Sequence, residues 1–337
     1  MKEKTCLALF SGGLDSMLAV LYMEKLGFNV IPVNFNIGVF FKKYIKEDGK
    51  LKYAKKMPFK NAVEVIDISS DFLKMLKAPP HGFGKHMNPC IDCKILMLKK
   101  AKEIMEKYNA GFVITGEVLG QRPMSQNPSA AKKIRDESGL EGFLVRPLCA
   151  KAMEPTEPEK LGWIDRESLL GITGRGRKQQ IEMAKEFGID KDIETPGGGC
   201  LLTEGQYAKR LKDFMTHNKD KELNEKDMFI LSAGRHFRKG NIKFIIGRNK
   251  EDNEKLRKIS EGGYVFRAAD IPGPEAVVFE SISENDKKFI ASVLARYTKL
   301  KNEKEVTVKI LSPDGGEEKL SVAPITEKNA EQYRIDA

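Results

Sequence analysis

Apolar runs and polar breaks alternate along the first two hundred residues and predict strands and helices in turn. Residues 5–10 (Thr-Cys-Leu-Ala-Leu-Phe) are continuously apolar, the pattern of a strand buried on both faces of a parallel sheet. Ser11-Gly-Gly-Leu-Asp-Ser16 breaks that run as a turn, and Met17 to Leu26 repeats its apolar positions at helical spacing. Gly27 stops the helix, and Asn29 to Asn36 reads as a second strand. Ala62–Ile68, Gly111–Thr115 and Phe143–Arg146 read as three more strands, with a Lys-rich amphipathic helix over Lys94–Tyr108. Strand and helix in alternation predict an α/β fold with a doubly wound, mostly parallel sheet.

Glu154-Pro-Thr-Glu-Pro158 reads as a loop, and the Gly-rich Thr195-Pro-Gly-Gly-Gly-Cys200 closes the first domain, giving boundaries of 1–200 and 201–337. The remainder differs in style. Helices are expected near Glu204–Thr216 and Glu284–Leu300. Short strands are expected at Ile242–Ile246, Tyr264–Arg267, Ala276–Phe279, Val306–Leu311 and Leu320–Ala323. That mixture predicts a second, smaller α+β domain.

Composition narrows the class. At 337 residues, 41% hydrophobic and with 18 Phe and 13 Met, the chain has material for a sizeable core and is not a disordered polymer. No apolar run reaches the eighteen or so residues of a membrane span, and the N-terminus has no signal-peptide pattern. A cytoplasmic protein without a membrane partner is the expectation. Five cysteines, Cys6, Cys90, Cys93, Cys149 and Cys200, are an odd count that suits chemically active thiols better than a disulfide framework. The net charge of +10 suits a polyanionic partner such as nucleic acid. Phe41–Lys60 alone holds eight basic residues against two acidic ones.

The strongest local signal is Ser11–Ser16 between a strand and a helix. Gly12 and Gly13 let the backbone approach a phosphate, Ser11 and Ser16 add hydroxyls, and the helix N-terminus supplies N–H groups and positive dipole. No Lys follows the glycines, so the loop is not that of the γ-phosphate-cleaving NTPases; nor is it G-x-G-x-x-G. A turn capped by Ser11 or Asp15 is the plain structural alternative. Ser-Gly-Gly-x-Asp-Ser after a first strand resembles the signature of the PP-loop ATP pyrophosphatases. Thr115-Gly-Glu-Val-Leu-Gly-Gln121 with Ser125-Gln126 resembles a segment of tRNA 4-thiouridine synthetases, and Asn88-Pro-Cys-Ile-Asp-Cys93 one of tRNA 2-thiouridylases. The resemblance covers roughly residues 5–200. The loop starts so near residue 1 that no THUMP region is expected ahead of it, and no rhodanese-like tail is apparent.

The resemblance implies an ATP-dependent tRNA sulfurtransferase using MgATP, with tRNA as substrate and sulfide or a persulfide carrier as sulfur donor. ATP would sit on Ser11, Gly12, Gly13, Asp15 and Ser16, with Gly116 and Gln121 beside it. Asp15 would position the metal or the loop, and Glu117 could line the same pocket. Cys90 and Cys93 are spaced to reach one metal centre from a single helical turn, and a helix N-terminus lowers thiol pKa. With Cys200, about 107 residues further on, they would leave one iron of a [4Fe-4S] cluster open for sulfide, as in the cluster-dependent tRNA thiolation enzymes. A persulfide on Cys200 or Cys93 is an alternative. Zinc on Cys90, Cys93 and one of His81, His86 or Cys200 is another. A PP-loop enzyme acting on a small molecule also stays open. Cys6 and Cys149 read as core residues. Arg175, Arg177 and Lys178 are candidates for RNA phosphates, as are Arg235, Arg238 and Lys239. The neighbourhood of the latter three, through Arg248, resembles the RNA-binding part of NFACT-type proteins. Neither the thiolated uridine nor the oligomeric state is legible.

Overall fold

The computed structural model describes residues 2–38, 44–122, 124–192 and 200–337. Phe41–Lys43 and the glycines of the Thr195–Cys200 loop lie outside the described residues. The chain divides into two compact units, Met1–Cys200 and Leu201–Ala337.

The first unit is built on β1 (Thr5–Leu9), α1 (Leu14–Lys25), β2 (Asn29–Asn36), a hairpin of β3 (Tyr44–Glu47) and β4 (Lys50–Tyr53), and β5 (Glu64–Asp67). Then come α2 (Ser69–Lys77), α3 (Cys90–Ile104), β6 (Phe112–Thr115), α4 (Pro128–Glu137), β7 (Leu144–Val145), the one-turn α5 (Glu157–Lys160) and α6 (Lys178–Glu186). Its five-stranded sheet has the order β5-β2-β1-β6-β7, parallel at every pairing. The winding therefore reverses between β1 and β6. Right-handed crossovers put the helices entering from the two sides on opposite faces, so β1 and β6 are covered both ways, as their unbroken burial shows. A crevice opens at the carboxyl ends of the two central strands, where the switch in winding parts the following loops. Ser11–Ser16 follows β1 and Gly116–Gln126 follows β6, so both motif segments lie there.

Two boundaries differ from the sequence reading in a way that matters. Helix α1 starts at Leu14 because Gly13, extended at φ −82°, ψ 159°, is its N-cap. Neither Ser11 nor Asp15 caps it, and Asp15 and Ser16 lie in its first turn. Helix α3 starts at Cys90, directly after Pro89, so Cys90 and Cys93 are one turn apart on its first turn. The hairpin, unforeseen as strands, packs its rings over the end of β1. Tyr53 and Phe59 meet Phe10 edge-on at 5.3 and 5.2 Å, and Tyr44 donates to Asn34 Oδ1 at 2.7 Å.

The second unit has α7 (Gly205–His217), α8 (Glu225–Ser232), β8 (Arg235–Lys239), β9 (Ile242–Ile246), α9 (Lys250–Ile259) and β10 (Tyr264–Ala268). These are followed by β11 (Glu275–Val278), α10 (Glu284–Arg296), β12 (Val306–Leu311), β13 (Glu317–Val322) and α11 (Glu327–Glu331). Its six strands form an antiparallel sheet in the order β13-β12-β10-β11-β9-β8. Alternate positions of β12 are buried. They pack with Ile290, Val293 and Leu294 of α10, which a Ser283–Asp286 capping box starts. The smaller α+β domain of the sequence reading is this unit. No described helix is long and apolar enough to cross a membrane.

Candidate functional site

The turn after β1 is held by its own hydroxyls. Ser16 Oγ donates to Gly13 O at 2.7 Å and accepts from Ser11 N at 3.3 Å, and Gly13 N donates to Ser11 Oγ at 3.3 Å. Gly12 has φ +85°, open to glycine at no steric cost. This folds the backbone over the first turn of α1, whose leading N–H groups have no partner within the helix. The result is an anion cradle of the kind phosphates occupy.

Asp15, in the first turn of α1, meets the segment that follows β6. Its Oδ2 accepts from Gln121 Nε2 at 3.0 Å, and its buried Oδ1 has no hydrogen-bond partner among the described residues. Burial pushes the Asp15 carboxyl above its ordinary range, against the opposing pull of Arg177, Gln121, Arg122 and Gln180. The carboxylate is therefore a brace beneath the loop. Gly116 fixes the other wall. A Cβ there would lie 2.2 Å from the carbonyl oxygen of Asp15, so only glycine lets the strand after β6 run against the first turn of α1.

One residue on, Glu117 is buried between two cations. Arg146 Nε donates to Glu117 Oε2 at 2.8 Å, and Lys94 of α3 pairs with the other oxygen. Burial, then the Arg146 charge, lowers the Lys94 pKa to about 7. Glu117 thus ties the cysteine helix to the loop that flanks the cradle. Cys149 donates to the Glu117 carbonyl at 3.2 Å and is fully buried, as is Cys6.

The three remaining thiols share one neighbourhood. Asn88, buried, donates its amide to Cys90 Sγ at 3.3 Å and also meets Met124 Sδ at 3.3 Å. Burial pushes the Cys93 thiol up, and Cys200, Cys90 and Asp92 push it further, with only Lys94 opposing. Thiols that raise one another in this way ionise together only when a cation arrives, and soft sulfur donors suit an iron–sulfur or other thiophilic centre. The donor set fits such a group. Among the described residues, however, no three His, Cys, Asp or Glu side chains converge on a single metal ion. That holds for zinc and for a cluster alike. His81 is also occupied, with Nδ1 2.7 Å from Asp92 and Nε2 3.2 Å from Glu137.

The six proposed RNA cations separate. Arg175 and Lys178 are exposed. Arg177 is half-buried, and its charge pulls the Asp15 carboxyl down. In the second unit Arg235, Arg238 and Lys239 lie on strand β8 and each has an internal partner. Arg235 stacks on Tyr297 at 4.7 Å, Arg238 grips Asp213 with two bonds of 2.7 and 2.9 Å, and Lys239 meets Asp286 at 3.1 Å. The sequence reading passed over Lys94, Arg146 and Gln180. Only the i, i+3 spacing of Arg177 and Gln180 hinted that they share a face.

These features describe a parallel-sheet α/β unit with a glycine-turn cradle, and a separate antiparallel-sheet unit. Residues 2–154 match the family described as thiamine biosynthesis protein (ThiI), and residues 234–334 match the NFACT protein RNA binding domain. The chain is 33% identical over 119 residues to a protein named "Probable tRNA sulfurtransferase" from Thermococcus kodakarensis, covering 34% of this chain and 29% of that one. A protein of the same name from Saccharolobus solfataricus is 30% identical over 142 residues, covering 42% and 36%. The tRNA-specific 2-thiouridylase MnmA of Karelsulcia muelleri is 24% identical over 284 residues, covering 77% and 65%. The chain thus spans about a third of the length of those two sulfurtransferases. The resemblance to PP-loop tRNA thiouridine synthetases drawn from Ser11–Ser16 and Thr115–Gln121 is borne out.

Proposed function

We propose that this chain is an ATP-dependent tRNA sulfurtransferase that adenylylates a uridine and replaces its oxygen with sulfur. The observation that carries the reading is the double attachment of the segment after β6. Gly116 and Gln121 touch the cradle, while Glu117 and Met124 touch Lys94 and Asn88 beside the thiols. These contacts support a phosphate site and a sulfur site flanking one segment, as an activation followed by thiolation requires.

MgATP enters with its phosphates over Ser11–Ser16. A uracil oxygen attacks the α-phosphorus, the bond to the β-phosphate oxygen breaks, and pyrophosphate leaves. Gly12, Gly13 and the N–H groups of α1 stabilise the charge on the departing phosphates. The base then carries AMP as leaving group. A sulfur nucleophile adds at the same carbon, its C–O bond breaks, and AMP departs. Cys90, Cys93 and Cys200 would hold the [4Fe-4S] group, which would supply an open iron for the incoming sulfide. Lys94 offsets negative charge on the thiols, and Asn88 orients Cys90. The NFACT-like unit and the basic hairpin would contact tRNA phosphates, offsetting the few kcal/mol needed to unstack the target base.

The test is nucleoside mass spectrometry after anaerobic purification, an iron and labile-sulfide assay, and incubation with unmodified tRNA, ATP, magnesium and sulfide. An ATP-dependent thiouridine is expected, and its fragmentation separates C4 from C2 sulfur. No thiouridine with iron present would overturn the sulfide-fed reading. Thiouridine without iron would remove the cluster, since sulfide would then displace AMP directly; a cysteine persulfide would instead require that a sulfane-sulfur donor, and not sulfide, supports the reaction. Neither product nor iron would leave the small-molecule alternative.

A further inference from the structure

Helix α6 and the residue before it bring to the cradle a group of side chains that the proposed chemistry has not used. The segment is pinned on two sides. Ile172 packs with Phe10 and Leu14, Gly174 N donates to Leu119 O at 2.8 Å, and α6 packs on α1. From it Gln180, 0% exposed, lies near enough to the Asp15 carboxylate to favour its charged form, yet neither amide atom completes a hydrogen bond among the described residues. Arg177 Nε, Gln121 Oε1 and Asp15 Oδ1 are also buried without partners. Among the described residues, the free carboxylate oxygen thus has two further acceptors and two donors for company, all buried and all without partners.

A protein interior rarely keeps such groups, since a leucine at position 180 would cost nothing in unmade hydrogen bonds. The set makes sense if binding completes it. Asp15 lies in the first turn of α1, where a negative charge suits the helix but opposes a polyphosphate above it. Arg177, with Arg122 nearby, offsets that charge from below. A phosphate chain drawing the first turn of α1 toward itself would move Asp15 within this nest, where Arg177 Nε and Gln180 Nε2 can take its free oxygen.

We propose that Arg177 and Gln180 are positioning residues for adenylylation, which act through Asp15 to set the PP-loop for the triphosphate. This rests on the ATP reading above. Neither residue need touch substrate; each fixes the charge and place of the residue that braces the loop.

The test compares Gln180→Leu, Arg177→Met and Arg177→Lys with the unaltered chain in tRNA-dependent ATP–pyrophosphate exchange, together with thermal midpoints and ATP binding by equilibrium dialysis. Gln180→Leu should keep or raise the midpoint while the exchange kcat falls about ten-fold or more. Stability and activity then move in opposite directions, which a merely structural glutamine cannot produce. Arg177→Met should move the acid limb of the pH–rate profile to higher pH, because loss of the nearby cation raises the Asp15 pKa; Arg177→Lys should restore the limb in part. Gln180→Leu with unaltered kcat and KM, or Arg177→Met with a uniform loss and an unmoved limb, would overturn the proposal. Should Gln180→Leu fail to fold, the Arg177 pair alone decides. An unaltered chain that neither binds ATP nor exchanges pyrophosphate would instead remove the ATP reading, so the two failures are distinct.

Discussion

Gly116→Ala is the sharpest perturbation of the cradle. The new methyl carbon would sit 2.2 Å from Asp15 O, 2.4 Å from Asp15 C and 2.6 Å from Ser16 N, all backbone atoms. Comfortable contact needs roughly 3.5 Å, so about 1.3 Å must be found between the strand after β6 and the start of α1. Helix α1 cannot yield as a body, because Leu18, Ala19, Val20 and Met23 are fully buried. The first turn and the Ser11–Gly13 backbone must give way. Overpacking of this kind costs about 1–3 kcal/mol. For a unit of this size that lowers the melting midpoint by about 2–12 °C. A misplacement near 1 Å at a reacting centre costs on the order of a hundred-fold in rate. The assay is pyrophosphate release from ATP with tRNA present, beside a thermal melt. Gly176→Ala, whose added carbon meets nothing within 4 Å, serves as a steric control. Turnover and KM for Gly116→Ala equal to those of the unaltered chain would refute the claim that this glycine sets the loop.

Glu117→Gln leaves Arg146 a buried cation without its anion, so the first unit should lose about 3–5 kcal/mol, while Lys94, with a pKa of about 7, can shed its proton. A denaturation cycle with Arg146→Met checks it, and purely additive effects would show that the pair is not coupled. Cys90→Ser, Cys93→Ser and Cys200→Ser should each abolish thiouridine while pyrophosphate release from ATP persists. Full thiolation by any one of them would dissolve the three-thiol site. In the second unit burial pushes Asp213 up, but Arg238 and Lys243 outweigh it and hold its pKa below the usual carboxylate range. Its stabilisation is present above about pH 4, the unfolded value, and is lost as pH falls through the folded one. Asp213→Asn should therefore weaken this unit at pH 7 and flatten its acid unfolding profile; an unchanged profile would remove Asp213 from that role.

Much of the fold was written in local pattern. Continuous apolarity over Thr5–Leu9 and Phe112–Thr115 demands burial on both faces, which only central parallel strands supply. Those strands give the sheet, and two glycines between strand and helix give the phosphate cradle. The antiparallel unit was legible because β12 alternates strictly and α10 carries a Ser–Asp capping box. The hairpin and β8 were missed because their residues are charged. Arg238 and Lys239 read as cations for RNA, and the burial of His236 and Phe237 that marks β8 as a strand went unseen beside them.

What the sequence determined on its own was chemistry with short reach: the Ser11–Ser16 turn, the thiol pair one helical turn apart, and the amphipathic faces. What only the tertiary structure decided was which distant charges meet. Asp15 finds Gln121, Arg177 and Gln180 across more than a hundred residues, Glu117 finds Lys94 and Arg146, and Asp213 finds Arg238. The reason is physical. Hydrophobic periodicity depends on neighbours along the chain, and every residue carries its own vote. The cost of a buried charge depends on partners that arrive only when strand order and crossover handedness bring them together.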